Sequence, residues 1–208
     1  MTTFLNSLPF NWFDVALLFV LVGGILRGRK RGMSEELLPV IQWLIIVFAG
    51  ALLYEPLGTL MVDLTPFSRL FCYVISYMIV ATATKVGFVV IQHLLKGKLI
   101  GSDVFGKGEY YLGMVAGMIR FACVAMAVLA ILNARLYTRE EIVLDRRRQI
   151  ETYDNEFFPK LYTLQDQVFV KSASGPLIHE HLSDLLIKPT PPEERRVRRA
   201  GEWSPTNP

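Results

Sequence analysis

The sequence is poor in the residues that mark disulfide scaffolds, nucleic-acid-binding proteins and secreted proteins. Its two cysteines, Cys72 and Cys123, both lie inside apolar runs, which is typical of buried thiols rather than of a disulfide framework. A net charge of +3 is too small to indicate a nucleic-acid partner. The first twelve residues contain no lysine or arginine, so we do not expect a cleaved signal, which needs a basic n-region.

The sequence also lacks the motifs of membrane enzymes. It contains no H-E-x-x-H, no G-x-S-x-G and no pair of carboxylates at metal-ligand spacing within an apolar run. His93 is the only histidine of the apolar part, and His179 and His181 are two residues apart, which places them on different sides of a helix. We therefore expect no catalytic residue, no metal and no cofactor.

Charge is scarce, and its distribution is uneven. Charged residues make up 20% of the chain and apolar residues 52%, whereas soluble domains have about 25% and about 45–50%. Residues 1–134 are strongly apolar, and residues 135–208 are rich in charge and proline. This asymmetry indicates a membrane part followed by a polar tail.

Four apolar runs approach the length of about 20 residues that a helix needs to cross a bilayer. They form a membrane domain over 10–134 and span about 10–26, 37–54, 70–95 and 110–132. A soluble helical bundle is the alternative, but runs of about 10–14 residues would suit it better. We expect an all-α fold, a four-span transmembrane helical bundle with a polar C-terminal tail.

The tail divides into two parts by composition. Residues 135–187 are amphipathic and charged, and apolar spacing predicts a short helix from Phe157 and a second one around 177–187. Such helices lie on the membrane, pack on a partner, or pack against each other or the bundle. Residues 188–208 have almost no apolar content, which predicts disorder.

Cations in the short connections predict the orientation in the membrane. The connection at 27–36 carries four of them and the connection at 96–109 carries three, whereas only Arg69 lies between the second and third runs. Because cations favour the cytoplasmic side, we expect 27–36 and 96–109 to be cytoplasmic loops, and we expect the glycines of 27–36 to make the turn. The arginines that follow the last run argue for the opposite orientation.

Lys85 and Arg120 are cations inside apolar runs. Lys85 shares one helical face with Thr82 and Gln92, which suits a bundle interior or a water-filled cavity. Alternatively, its span ends early and the side chain snorkels to the surface. Arg120 is either an interface anchor or an inward cation held by Asp14 or Glu109.

Other polar and small residues also have two interpretations. Asp14 lies either at the interface, with Asn11 as the helix cap, or inside the bundle with a cationic partner. Arg31 and Glu36 are either solvated charges at a helix end or a clamp that faces a headgroup or a partner. Gly113 and Gly117 form G-x-x-x-G, which permits the close approach of another helix.

In their order and spacing these residues resemble the colicin V production protein (CvpA) family of bacterial multi-pass inner-membrane proteins. Asp14 is followed by R-G-x-x-x-E, in which the arginine, glycine and glutamate are Arg31, Gly32 and Glu36. Before and within the fourth run, GEYYLGMVAGMIRF contains Gly113, Gly117 and Arg120. The resemblance covers about residues 10–134.

The sequence departs from the family pattern in three places. The family aspartate before the fourth helix falls at Glu109, or at Asp103 if the gap is shifted, and its next arginine falls at Tyr110. The glycine that follows the second arginine of the pattern is replaced by Phe121. The charged tail beyond residue 135 is not covered.

The resemblance implies a role in producing and exporting the antibacterial peptide colicin V, and an association with the bacterial envelope. It brings no catalytic residue and no cofactor. The expected partners are the lipid bilayer and either a second copy of the chain or an envelope or secretion protein. The alternative function is an oligomeric channel or transporter subunit for a small solute or anion, suggested by Lys85 and Arg120.

Overall fold

The computed structural model describes residues 11–95, 108–138, 140–144 and 161–191, and in these ranges the regular structure is helical apart from one isolated bridge. The helices are α1 (Trp12–Leu64), α2 (Arg69–Leu95), α3 (Glu109–Asn133), α4 (Leu161–Phe169) and α5 (Ser174–His181), followed by a 3-10 turn at Ser183–Leu185. Three of them, α1 to α3, are long and apolar enough to cross a membrane. The all-α prediction is confirmed for the described residues.

Helix α1 begins at Trp12 because Asn11 caps it. The Asn11 side chain accepts a hydrogen bond from the Trp12 backbone amide at 2.7 Å, and the Asn11 amide donates to Asp14 at 3.0 Å. This reciprocal arrangement is a capping box, which satisfies backbone amides that lack a partner within the helix. The predicted cap at Asn11 is therefore present.

The long helix α1 reverses direction at Gly32. Gly32 has φ 76° and ψ 171°, a backbone conformation that L side chains disfavour. Phe13 and Tyr54 pack against the same cluster, although a straight helix would hold them roughly 60 Å apart at 1.5 Å per residue. Residues 12–31 and 33–64 are thus two antiparallel arms, which we call the first arm and the second arm.

The expected loop at 27–36 is mostly helical. The first arm continues as helix to Arg31 rather than ending at residue 26, and the second arm already includes Ser34 and Pro39. The side chains of Arg27, Arg29 and Lys30 are exposed on this last turn, so they reach solvent without leaving the helix. The connection is shorter than predicted, because Gly32 alone makes the turn.

Helix α2 packs along the second arm at two glycines. The ring of Tyr77 lies against Gly50, and that of Tyr73 lies against Gly58. Tyr54 and Tyr73 meet edge to face at 5.5 Å between ring centroids. With Leu129 and Ala130 of α3, these tyrosines form a buried cluster at the end of the bundle that lies away from Gly32.

Residues 161–191, which we call the strap, cover that same end of the bundle. Four strap side chains are buried in the tyrosine cluster: Val168, Phe169, Leu186 and Ile187. Asn133, the last residue of α3, donates a side-chain hydrogen bond to the carbonyl of Ile187 at 3.1 Å. The described residues of the strap therefore pack against the bundle.

The boundaries within the tail differ from those expected. The second short helix is α5, which begins at Ser174, and Gly175 lies inside it. Residues 188–191 were expected to begin a disordered segment, but Thr190 is buried and exchanges backbone hydrogen bonds with Ala134 and Leu136. Residues 192–208 lie outside the described residues, as does the start expected for the first short helix at Phe157.

Candidate functional site: a glycine crossing with a buried ion pair

The first arm crosses α3 where glycines on both helices let the backbones touch. Gly24, Gly28 and Gly32 recur every four residues and so share one face of the first arm. A Cβ atom added at Gly24 would lie 2.7 Å from the carbonyl oxygen of Gly117, and one added at Gly113 would lie 2.5 Å from that of Gly28. This glycine crossing therefore leaves no room for a side chain on either helix.

The predicted G-x-x-x-G contact is present, and its partner is the first arm. The two helices run antiparallel, because Gly24 meets Gly117 whereas Gly32 meets Glu109. A Cβ atom at Gly32 would lie 2.8 Å from the Glu109 side chain. The glycines at 24 and 28 thus serve helix packing instead of the turn.

Glu36 and Arg120 form a buried ion pair next to this crossing. Glu36 lies about one helical turn after Gly32, and its side chain is only 1% exposed. Arg120 Nη1 donates to both carboxylate oxygens of Glu36, at 2.8 Å and 3.2 Å. Arg31 Nη1 lies 3.6 Å from the same carboxylate, so it is the weaker partner.

The ion pair answers the two questions that the sequence left open about these residues. Of the two alternatives for Arg120, the structure has the inward cation, but its partner is Glu36 and not Asp14 or Glu109. Arg31 and Glu36 lie close together, but Glu36 is buried against α3 and does not face a headgroup. The buried hydroxyl of Ser34, two residues before Glu36, has no hydrogen-bond partner among the described residues, so it does not cap the second arm.

This arrangement is suited to fixing helices rather than to chemistry. A buried charge is costly unless it is paired, and removing one member of such a pair costs about 3–5 kcal/mol. The ion pair therefore stabilises the packing of the second arm, through Glu36, against the face of α3 that carries Arg120. The glycine crossing and the ion pair together hold both arms and α3 in one register.

Asp14 lies near the opposite end of the first arm, where it binds the strap. It is 7% exposed. Besides the Asn11 amide, it accepts hydrogen bonds from the backbone amides of Ala173 and Ser174, each at 3.0 Å, and from Ser174 Oγ at 2.5 Å. It is thus both part of the N-terminal cap and buried, but its partners are neutral donors rather than a cation.

Lys85 lies away from both clusters, on the outer face of α2. Its side chain is exposed, as is that of Thr82 on the predicted polar stripe, while Gln92 is half-buried. Helix α2 continues for ten residues beyond Lys85, so this residue lies within the helix and not at its end. Lys96 and Asp103 lie outside the described residues.

Several contacts of the strap were not anticipated from the sequence. Gln167 accepts from the Trp12 indole and its carbonyl accepts from the Asn11 side chain, while the Lys188 amide donates to the Tyr54 hydroxyl at 3.1 Å. These partners are separated by more than 130 residues, and no periodic pattern links them. A polar residue at the end of an apolar run, such as Tyr54, was the only available signal.

A cleft of about 440 Å³ separates the strap from the end of the bundle. Its lining includes Glu55, Asn133, His179, Asp184 and Lys188. Lys188 Nζ lies 2.8 Å from Glu55 Oε2, and this hydrogen bond raises the pKa of Lys188 above its ordinary value. Within the described ranges, no group of three or more metal-ligating side chains is assembled.

The comparisons with known proteins give a match to a protein family. A family model described as colicin V production protein matches residues 13–148. The matched range includes the glycine crossing, the ion pair, Asp14 and nearly all of the three apolar helices, and it ends before the strap. No curated protein and no solved structure matches the chain.

Proposed function

Because the chain belongs to the colicin V production protein family, we propose that it is a non-enzymatic integral protein of the bacterial inner membrane. In this role it supports the production and export of colicin V and the homeostasis of the envelope. The observation that carries the proposal is the family match over the same residues that build the glycine crossing and its ion pair.

We propose further that each arm of α1 crosses the bilayer, which gives four crossings in total. The first arm has twenty residues and the second has thirty-two, and about 20 residues suffice for one crossing. The exposed cations Arg27, Arg29 and Lys30 near Gly32 favour the cytoplasm for this end of the bundle. The strap end would then face the periplasm.

Reporter fusions test this topology directly. Fusions after residues 32, 66 and 103 should report cytoplasm, periplasm and cytoplasm, respectively. Cytoplasmic signals at both residue 32 and residue 66 would show that the second arm does not cross, and the opposite pattern at all three sites would invert the proposed orientation.

The geometry favours a rigid scaffold for a secretion or envelope partner. The charge of Arg120 is neutralised inside the bundle, and the crossing is too close to leave a passage between the first arm and α3. The scaffold role predicts that activity depends on the ion pair although no substrate touches it.

Complementation measures that dependence. In a bacterium that lacks its own family member and carries the colicin V determinants, the wild-type chain should restore the zone of growth inhibition. The Glu36→Gln variant should restore much less of it, because Arg120 is left without its counter-charge. The matched control is Glu35→Gln, whose side chain is exposed.

The size of each inhibition zone is normalised to the protein level in the membrane fraction, which is measured by immunoblotting. Equal restoration by the two variants at equal levels would contradict the scaffold role of the ion pair. Failure of the wild-type chain itself to restore the zone, with the protein present in the membrane, would contradict the role in colicin V production.

A channel formed by several copies is the second candidate, and Lys85 is the observation that favours it. Its exposed position on α2 means that it can line a path only between copies of the chain. Anion flux into vesicles that contain the purified protein tests this function. Flux that is absent, or unchanged by Lys85→Ala, would exclude a pathway lined by this lysine.

A further inference from the structure

The strap carries exposed apolar side chains in the turn between α4 and α5 and in the first turn of α5. Val170 is 67% exposed and Leu177 is 58% exposed. We call residues 170–177 the strap tip. Val168 and Phe169, immediately before it, are buried in the core, so the apolar residues of the tip are not needed to complete the fold.

The position of the strap tip is fixed beside the first turn of α1. Asp14 binds the amides of Ala173 and Ser174 within the tip. Two residues before Asp14, the exposed indole of Trp12 donates to Gln167, which lies three residues before the tip. Tryptophan prefers the level of the headgroups, because its ring is apolar and its N–H is polar. The tip therefore lies at the depth that Trp12 marks.

The apolar surface of the bundle continues past this depth. Tyr54 binds the strap at Lys188, and the second arm extends for ten more residues to Leu64. Within that extension Leu60 and Leu64 remain exposed. The second arm thus carries exposed apolar side chains beyond the residue at which it binds the strap.

From this geometry we propose that the strap tip is a lipid-binding surface that inserts Val170 and Leu177 into the interfacial layer of the bilayer. The proposal rests on the proposed membrane location of the bundle. The neighbouring Lys171 is exposed, and its charge is paired with Asp166 at 2.7 Å, so the apolar side chains rather than a free cation carry the proposed binding. Burial of apolar side chains at the boundary between headgroups and acyl chains is a general way in which short segments bind membranes.

Fluorescent labels at single introduced cysteines test the proposal. The native thiols are buried, so Val170→Cys and Leu177→Cys supply the reactive positions. The labelled full-length chain is placed in vesicles of phosphatidylethanolamine and phosphatidylglycerol. We expect a blue shift of the emission relative to the denatured chain, and strong quenching by a nitroxide attached to the lipid headgroup but little by a water-soluble nitroxide.

Two control positions separate the possible outcomes. Asp184→Cys lies on the same strap but lines the cleft, so its label should be quenched from water. Phe19→Cys, 71% exposed in the middle of the first arm, should be quenched by a nitroxide deep in the acyl chains. These controls use the same vesicles and the same label.

The outcomes lead to distinct conclusions. If Phe19 is quenched from the lipid but Val170 and Leu177 are quenched from water, the lipid-binding surface is refuted while the membrane location stands. Protection of the tip from both quenchers would mean that it is covered by protein, such as a second copy, and would also refute the proposal. A label at Phe19 that is quenched from water would overturn the membrane location itself.

Discussion

A methyl group added at Gly24 tests the glycine crossing, because its neighbour Gly23 provides an internal control. The added Cβ at Gly24 would lie 2.7 Å from the Gly117 carbonyl oxygen and 3.0 Å from Phe121 Cβ, whereas nothing lies within 4 Å of one at Gly23. Ordinary contacts begin at 3.4 Å, so the helices must separate by about 0.7 Å, and overpacking of this kind costs about 1–3 kcal/mol.

The comparison of the two variants isolates that steric cost. Replacement of glycine by alanine inside a helix contributes about 0.5–1 kcal/mol of stability, and this contribution is common to both sites. Gly24→Ala should therefore be less stable than Gly23→Ala by about 1–3 kcal/mol. The assay is reversible unfolding in mixed micelles, followed by helical circular dichroism. Equal unfolding free energies for the two variants would refute the close crossing.

Three further predictions concern the other clusters. Asp14→Ala should release the strap and speed its cleavage by trypsin. The control Asp63→Ala, at an exposed site, should leave the cleavage rate unchanged. Equal cleavage rates for the two variants would contradict the attachment of the strap by Asp14. Glu36→Gln and Arg120→Gln should each cost about 3–5 kcal/mol in unfolding free energy, and the double variant should cost less than the two single ones combined; additive costs would show that the pair is not coupled. Because the pKa of Lys188 is raised, its ion pair stabilises the folded chain at pH values below the ordinary pKa of 10.5, and this stabilisation is lost as the pH rises through the raised pKa. The measurement is the unfolding midpoint as a function of pH. A change in the midpoint near neutral pH that is absent from Lys188→Ala would contradict this assignment.

Hydropathy was sufficient to locate the long helices but not the turn at Gly32. The cations from Arg27 to Arg31 lower the local hydropathy. A hydropathy scale based on transfer into lipid therefore predicts a loop at these residues. These residues are helical nevertheless, because long cationic side chains can reach water from the end of a helix. The backbone also keeps its hydrogen bonds when it stays helical. The four-residue spacing of Gly24, Gly28 and Gly32 was the better signal, since it predicts one packed face rather than a flexible connection.

The hydrogen-bond and ion-pair partners of the polar residues could not be predicted from the sequence. Asp14 and Arg120 were identified as charges inside apolar runs, whereas Glu36 was expected at the end of a helix. A lone charge in an apolar segment needs compensation. Which group compensates it depends on how the helices cross, and the crossing is set by contacts such as that of Gly28 with Gly113, 85 residues later. The strap was less accessible still, because backbone amides such as that of Ala173 carry no residue-specific pattern.

Viewed in three dimensions, the two motifs that suggested the family form two halves of one contact. In R-G-x-x-x-E, Gly32 reverses the chain and places Glu36 one turn into the second arm, beside α3. In the second motif, Gly113 admits the first arm, and Arg120 lies further along α3, within reach of Glu36. Without Arg120, the turn at Gly32 would bury the carboxylate of Glu36 with no counter-charge. Without the close crossing, Arg120 would lie too far from Glu36 to pair with it. The two motifs therefore constrain each other through both packing and charge.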